Sequence, residues 1–149
     1  MKTVDSIKSI LIELISGYRM LLNVLRKERE CLINLDAAGI ENLSKEKDTI
    51  ILRLQLFEEE RGRLTAKFIT DNNITGNMSL QRIYELTGDN SFQVLESQLL
   101  TVLQSIEDMN EFNRILMERS INFVKNAANF LGSFAFNTKN RGVVLSKEA

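Results

Sequence analysis

Apolar residues recur along most of this chain at alternating steps of three and four positions. That spacing places side chains on one face of an α-helix, and it lasts long enough to predict three long helices packed side by side. The first predicted seam is Val4, Ile7, Leu11, Leu14, Tyr18, Leu21, Leu25, Glu28, Leu32 and Leu35. The second is Ile40, Leu43, Lys47, Ile50, Leu54, Phe57, Arg61, Leu64 and Phe68. The third is Phe92, Leu95, Leu99, Val102, Ile106, Met109, Asn113, Leu116, Ser120, Phe123, Ala127, Phe130 and Phe134. Apolar neighbours widen each stripe and favour a bundle over a two-stranded coiled coil: Ile10, Ile15, Leu22, Ile51, Leu100, Leu103 and Ile115.

Turn-forming residues separate the three patterns. Residues 36–39 (Asp-Ala-Ala-Gly) predict a tight turn that leads into a short helix over 37–43, and residues 71–77 predict a loop. Residues 79–86 predict a short amphipathic helix stopped by Gly88. We therefore expect an all-α fold with three long antiparallel helices, forming a bundle or coiled coil with short connecting helices. The expected domain is 1–136, followed by a flexible C-terminal tail over 137–149.

The polar interruptions of the seams constrain the register. If the first two helices form an antiparallel hairpin about Asp36, residue numbers that face each other sum to about 75. Glu28 then faces Lys47, so the polar residue of the first seam meets a residue of opposite charge. If the third helix runs antiparallel to the second, Asn113 lies level with Lys47. Glu28, Lys47 and Asn113 are thus predicted to form a polar layer that sets the register, as buried polar seam residues do in coiled coils.

Composition excludes most catalytic chemistry. The chain has no histidine, proline or tryptophan, and its seven glycines form no phosphate-binding loop. Without histidine there is no Ser-His or Cys-His pair, so we expect no enzyme activity, no cofactor and no metal site. A formal net charge of −1 gives no broad attraction to nucleic acid, and charges interrupt the apolar N-terminal stretch, which argues against membrane insertion. The single Cys31 cannot form an internal disulfide, which suits the cytoplasm.

Three groups of residues resemble the FlgN-like family of flagellar export chaperones. The segment 21–32 (LLNVLRKERECL) resembles the leucine-rich end of the family's first helix. Asp36, Ile40, Leu43, Lys47 and Arg61 resemble the progression that follows it, and Asn110, Asn113, Leu116 and Phe123 resemble the family's C-terminal helix. The resemblance covers nearly the whole chain, in order.

The resemblance implies a function in bacterial protein export. Members of this family are cytosolic chaperones of the flagellar type III export system, and they hold hook-associated subunits of the hook–filament junction. The implied partners are terminal helices of those subunits and the flagellar export gate. Family members often carry a tail tyrosine associated with gate contact. Here Phe136 stands nearest that place, so the expected gate contact lacks the hydroxyl.

The third seam continues beyond the predicted end of its partner helices. Phe123, Ala127, Phe130 and Phe134 form an apolar stripe there, which we name the distal stripe. One interpretation is that an amphipathic client helix docks on it; the other is that the short helix at 79–86, or the segment 37–43, covers it as ordinary core. Alternative functions are a structural coiled-coil scaffold, another secretion chaperone, or an adaptor without a flagellar junction client. We expect a monomer, with dimerisation through the empty client surface as the alternative.

Overall fold

A computed structural model describes the backbone of residues 2–146 and the side chains of residues 2–133. Four helices follow one another: α1 (Lys2–Ile33), α2 (Ala37–Asp71), α3 (Leu80–Thr87) and α4 (Ser91–Ser146). No strand occurs within that range. The predicted all-α fold with three long helices is confirmed, and α3 is one of the predicted short connecting helices.

The chain divides into two compact units, Met1–Asn113 and Arg114–Ala149. The first, here called the bundle unit, contains α1, α2, α3 and the beginning of α4. The second, here called the distal unit, contains the rest of α4. The predicted flexibility of the tail at 137–149 remains a prediction, because its side chains and its last three residues lie outside the described part of the chain.

The core of the bundle unit is built largely from α1. This helix has apolar residues on more than one side, so it packs on both α2 and α4. Ile10, Ile15 and Leu22 are buried beside the predicted seam. The buried apolar faces of α2 and α4 are narrower than that of α1. Ile51 on α2 and Leu100 and Leu103 on α4 are exposed, which contradicts the wide apolar stripes expected there. The core members from the other helices are Ile50, Leu54, Leu64, Phe68, Ile83, Phe92, Leu95, Val102 and Ile106.

The turn between α1 and α2 is tighter than the sequence pattern indicated. Leu35 adopts a left-handed backbone conformation with φ 54° and is 62% exposed, so its predicted place in the buried seam of the first helix is wrong. The amide of Asp36 donates to the carbonyl of Cys31, which closes the end of α1. The Asp36 carboxylate then accepts the amide of Gly39 at 2.9 Å and caps α2. Because this cap starts a continuous α2 at Ala37, the separate short helix predicted over 37–43 does not form.

The second connection confirms the predicted short helix. Ser79 caps α3 by accepting the amide of Arg82, and Gly88 ends it with φ 69°, a conformation that favours glycine. Ile83 is buried in the core of the bundle unit and packs α3 against it. Asp89 starts α4: its Oδ1 accepts the amide of Ser91 at 2.9 Å, and its Oδ2 accepts a hydrogen bond from Lys8 Nζ at 2.7 Å. The starts of α1 and α4 are thereby linked, and the two helices run in the same direction.

Candidate functional site

Three helices meet at a polar layer formed by the polar seam residues. Glu28 Oε2 accepts a hydrogen bond from Lys47 Nζ at 3.0 Å, which joins α1 to α2. Glu28 Oε1 accepts another from Asn113 Nδ2 at 3.1 Å, and the same Nδ2 donates to the carbonyl of Leu25 at 2.9 Å. The structure thus brings together the three residues that the register argument paired. Their role in setting the register stays a prediction.

Two of the three residues in this layer are buried, so losing one of its hydrogen bonds is expected to lower the free energy of unfolding. Glu28 is 8% exposed and Asn113 is 4% exposed, while Lys47 is only half-buried. Oδ1 of Asn113 is buried and accepts no hydrogen bond from the described residues. Turning the amide over would place its oxygen against two acceptors, Glu28 Oε1 and the Leu25 carbonyl, so the orientation is imposed by the neighbours. The layer therefore gives the Glu28 carboxylate two hydrogen-bond donors but leaves Oδ1 of Asn113 without a donor from the described residues.

The distal stripe is an exposed apolar surface in the distal unit. Phe123 is 64% exposed and Phe130 is 71% exposed, and Ala127 between them is partly buried. Steps of four and three residues place all three on one side of α4. Phe123 and Phe130 are therefore not core residues. Phe134 and the predicted gate residue Phe136 lie outside the residues whose side chains the structure describes, so their roles remain predictions.

A second exposed apolar stripe lies beside the first and was missed in the sequence. Its members share the same three-and-four spacing along α4 and are all exposed: Met117, Ile121, Val124, Ala128 and Leu131. Taken at 3.6 residues per turn, it is centred about 110° around the helix from the distal stripe. The three-and-four spacing of this stripe is visible in the sequence, but the predicted seam runs along a neighbouring face of the same helix. Together the two stripes make nearly half of the helix circumference apolar.

A groove in the bundle unit offers a different kind of surface. It lies between α1 and α4, has a volume of about 510 Å³, and is lined on the α1 side by residues that include Arg19 and Arg26. Hydroxyl and amide side chains from α4 line its other wall: Ser97, Gln98, Thr101 and Ser105. The hydroxyls of Thr101 and Ser105 already donate to carbonyls of their own helix. Leu22 and Val102 also line this open groove, so its surface combines apolar and polar side chains.

The described residues show no cluster suited to metal binding. No cluster of three or more cysteine, aspartate or glutamate residues among them could hold a metal ion. The Cys31 thiol has a raised pKa, caused first by burial and then by Asp36, whose Oδ2 lies 3.9 Å from the sulfur. A raised pKa lowers the thiolate fraction and with it the nucleophilicity of the thiol. Across residues 2–146, no helix combines the length and the apolar character that crossing a membrane requires.

The fold and the distal unit define an all-α bundle protein with an exposed apolar face on its last helix. Comparison with family models gives the more particular answer: the model of the FlgN protein family matches residues 1–141. The chain belongs to the FlgN family, and it is a flagellar export chaperone of a non-enzymatic family. No curated protein and no solved structure gives a significant match to it.

Proposed function

We propose that this chaperone works in the bacterial cytoplasm, where it holds hook-associated subunits of the hook–filament junction before export. A terminal amphipathic helix of the subunit docks on the distal stripe: Phe123, Ala127, Phe130 and Phe134. The observation that carries the proposal is the exposure of Phe123 and Phe130, at 64% and 71%, on one face of a helix. Exposed aromatic residues at helical spacing are typical anchors for a partner helix.

Docking would protect the client in a simple physical way. A terminal segment with an apolar face is prone to self-association while it is unfolded, and it folds as a helix against the chaperone. Burying the exposed part of one phenylalanine side chain is worth about 1–2 kcal/mol, given roughly 1.5–3 kcal/mol for complete burial. Two such anchors supply enough free energy to affect affinity by orders of magnitude. No step of this function needs a cofactor or a catalytic residue.

The experiment compares stripe variants with a matched control elsewhere. Phe123→Ala and Phe130→Ala should each weaken binding of a hook-associated subunit by about 5- to 30-fold, the equivalent of about 1–2 kcal/mol. The melting temperature of the isolated chaperone should stay nearly unchanged, because both side chains are exposed. Leu56→Ala on α2 is the control, since Leu56 is 59% exposed and lies in the other unit. Its affinity should match that of the wild type.

Two results would contradict the proposal. If Phe123→Ala and Phe130→Ala both unfold the chaperone, the stripe is structural and the client site lies elsewhere. If they bind the subunit as tightly as the Leu56→Ala control, the stripe is not the binding surface. Truncating the C-terminal segment of the subunit tests the other side of the contact, and it should abolish binding.

Export-gate contact is a separate part of the proposal and involves Phe136. If this residue serves in place of the family's tail tyrosine, Phe136→Ala should reduce export of the subunit while leaving its binding to the chaperone unchanged. Phe136→Tyr should keep export or improve it, because it adds the missing hydroxyl. Equal export by all three proteins would show that gate contact does not depend on this position.

A self-associating coiled-coil scaffold is the alternative, because the exposed stripes of one chain could pair with those of a second copy. The proposed chaperone is a monomer when dilute, since the bundle unit closes its core within one chain. Sedimentation at micromolar concentration distinguishes the two. A stable dimer that Phe123→Ala or Phe130→Ala dissociates would favour the scaffold.

A further inference from the structure

Charge is distributed unequally between the two units. The bundle unit, residues 1–113, contains 13 basic and 18 acidic residues, which gives a formal charge of −5. The distal unit, residues 114–149, contains six basic and two acidic residues, which gives +4. The overall charge of −1 hides this asymmetry. The exposed apolar stripes therefore belong to the basic unit of an acidic protein.

The basic side chains flank the apolar surface of α4. At 3.6 residues per turn, Arg119 lies about 20° around the helix from Phe130, at the outer edge of the distal stripe. Lys125 lies about 40° from Ile121, at the outer edge of the second stripe. Both cations are exposed, and neither forms an ion pair with a described residue. The two margins of the apolar surface thus each carry an available positive charge.

From this arrangement we infer that the helix bound by the distal unit carries acidic residues along the edges of its apolar face. The inference rests on the proposed function and specifies its partner as an acidic amphipathic helix. Apolar side chains of the partner would cover the stripes while its carboxylates lie beside Arg119 and Lys125. Such charge complementarity guides encounter and discriminates between partners more than it adds affinity.

The same arrangement disfavours two other occupants. A second copy of the chain would bring two units of charge +4 together, and like charges across an interface oppose association. An anionic lipid surface would also attract cations, but helices that lie in such a surface are rich in lysine and arginine across the polar face. Here the middle of the polar face is uncharged, with Asn122, Asn126 and Asn129 exposed there.

Two designed peptides provide the test. Both have the same leucine and alanine apolar face; one carries glutamate at both edges of that face and the other carries lysine. The glutamate peptide should bind the full-length chaperone about three- to ten-fold more tightly at low salt, the range expected from two exposed ion pairs. The preference should shrink as ionic strength rises.

Charge-reversal variants assign the effect to the two margins. Arg119→Glu with Lys125→Glu should abolish or invert the preference, whereas Lys45→Glu with Lys67→Glu, at exposed positions of α2, should preserve it. Equal binding of the two peptides, or an unchanged preference in the Arg119 and Lys125 variant, would overturn the inference. Binding to vesicles of phosphatidylglycerol and phosphatidylcholine, lost in that variant and without any peptide preference, would overturn it in favour of lipid.

Binding experiments with a natural hook-associated subunit distinguish failure of this inference from failure of the proposed function. If a hook-associated subunit binds through Phe123 and Phe130 but the peptides show no charge preference, only the inference fails. If neither the subunit nor either peptide depends on Phe123 and Phe130, the docking proposal fails and the inference fails with it. Retained subunit binding that weakens with Arg119→Glu and Lys125→Glu supports both.

Discussion

The polar layer allows a sharp prediction, because its members are buried to different degrees. The Glu28 side chain is 11% exposed and has two partners, while the Lys47 side chain is 28% exposed and is carried on a long flexible stem. Lys47→Leu leaves the buried carboxylate of Glu28 with Asn113 as its remaining donor. We expect a cost of about 1–3 kcal/mol, the range for a buried polar group that loses a partner.

Substitution of the other partner, Glu28, should lower the free energy of unfolding less. Glu28→Leu leaves the Lys47 ammonium free to reach water along its stem, and Asn113 keeps its hydrogen bond to the carbonyl of Leu25. We expect a cost of at most about 1 kcal/mol. The double variant removes both charges from the interior, so its stability should lie within about 1 kcal/mol of the wild type, or above it.

Urea denaturation of the wild type, the two single variants and the double variant measures these differences. With a slope of about 1–3 kcal/mol per molar urea, a loss of 2 kcal/mol shifts the midpoint by roughly 1 M. The physical argument would be refuted if Lys47→Leu cost no more than Glu28→Leu, or if the double variant lost the sum of the single costs. If the layer sets the register, the double variant should also show poorer dispersion of its amide NMR signals despite its stability.

Three further outcomes are expected. Gly62→Ala should stabilise the protein by about 0.5–1 kcal/mol, because Gly62 lies inside α2 and a Cβ there meets no atom within 4 Å. Gly17→Ala should gain less or destabilise, since its Cβ would lie 2.7 Å from the Leu54 side chain; thermal melts compare the two. Acid should weaken the fold between about pH 4 and 2, because hydrogen bonds from Lys8 and then Ser91 lower the pKa of Asp89 from 3.8 to about 2. Asp89→Asn should flatten the stability profile in that window, and an unchanged profile would show that the pair does not act on folding.

The sign of the acid effect follows from the direction of the pKa shift. A carboxyl whose pKa is lower in the folded state than in the unfolded state stabilises the fold above its unfolded pKa. That contribution disappears as pH falls through the folded pKa of about 2. Lys8 shows the complementary shift: its pKa is raised, chiefly by the hydrogen bond to Asp89.

Much of the bundle unit could be predicted from sequence because one physical pattern dominates it. The three-and-four spacing identifies the buried side of α1, and opposite charges at Glu28 and Lys47 indicate the register of the hairpin. The turn could not be predicted as well. The position of Leu35 depends on the backbone hydrogen bonds that the last carbonyls of α1 accept. The hydrophobic pattern contains no information about those hydrogen bonds.

The candidate site was only partly predictable for a related reason. The distal stripe continues the seam of α4, so Phe123 and Phe130 could be found by extending a pattern. The second stripe, which includes Ile121 and Val124, lies on a neighbouring face, and sequence spacing alone does not distinguish a wide core face from an exposed one. Burial in the folded chain makes that distinction, and client identity requires the partner as well.

The short connection between α1 and α2 also orders events during synthesis. Glu28 and Lys47 are separated by 19 positions along the chain, whereas Glu28 and Asn113 are separated by 85. Contacts between near neighbours in sequence close faster than distant ones, because less chain entropy is lost. The hairpin can therefore form on the ribosome before α4 emerges, and the docking of Asn113 completes the bundle unit. The distal unit is translated after the bundle unit, so the proposed client surface becomes available only after the bundle unit can fold.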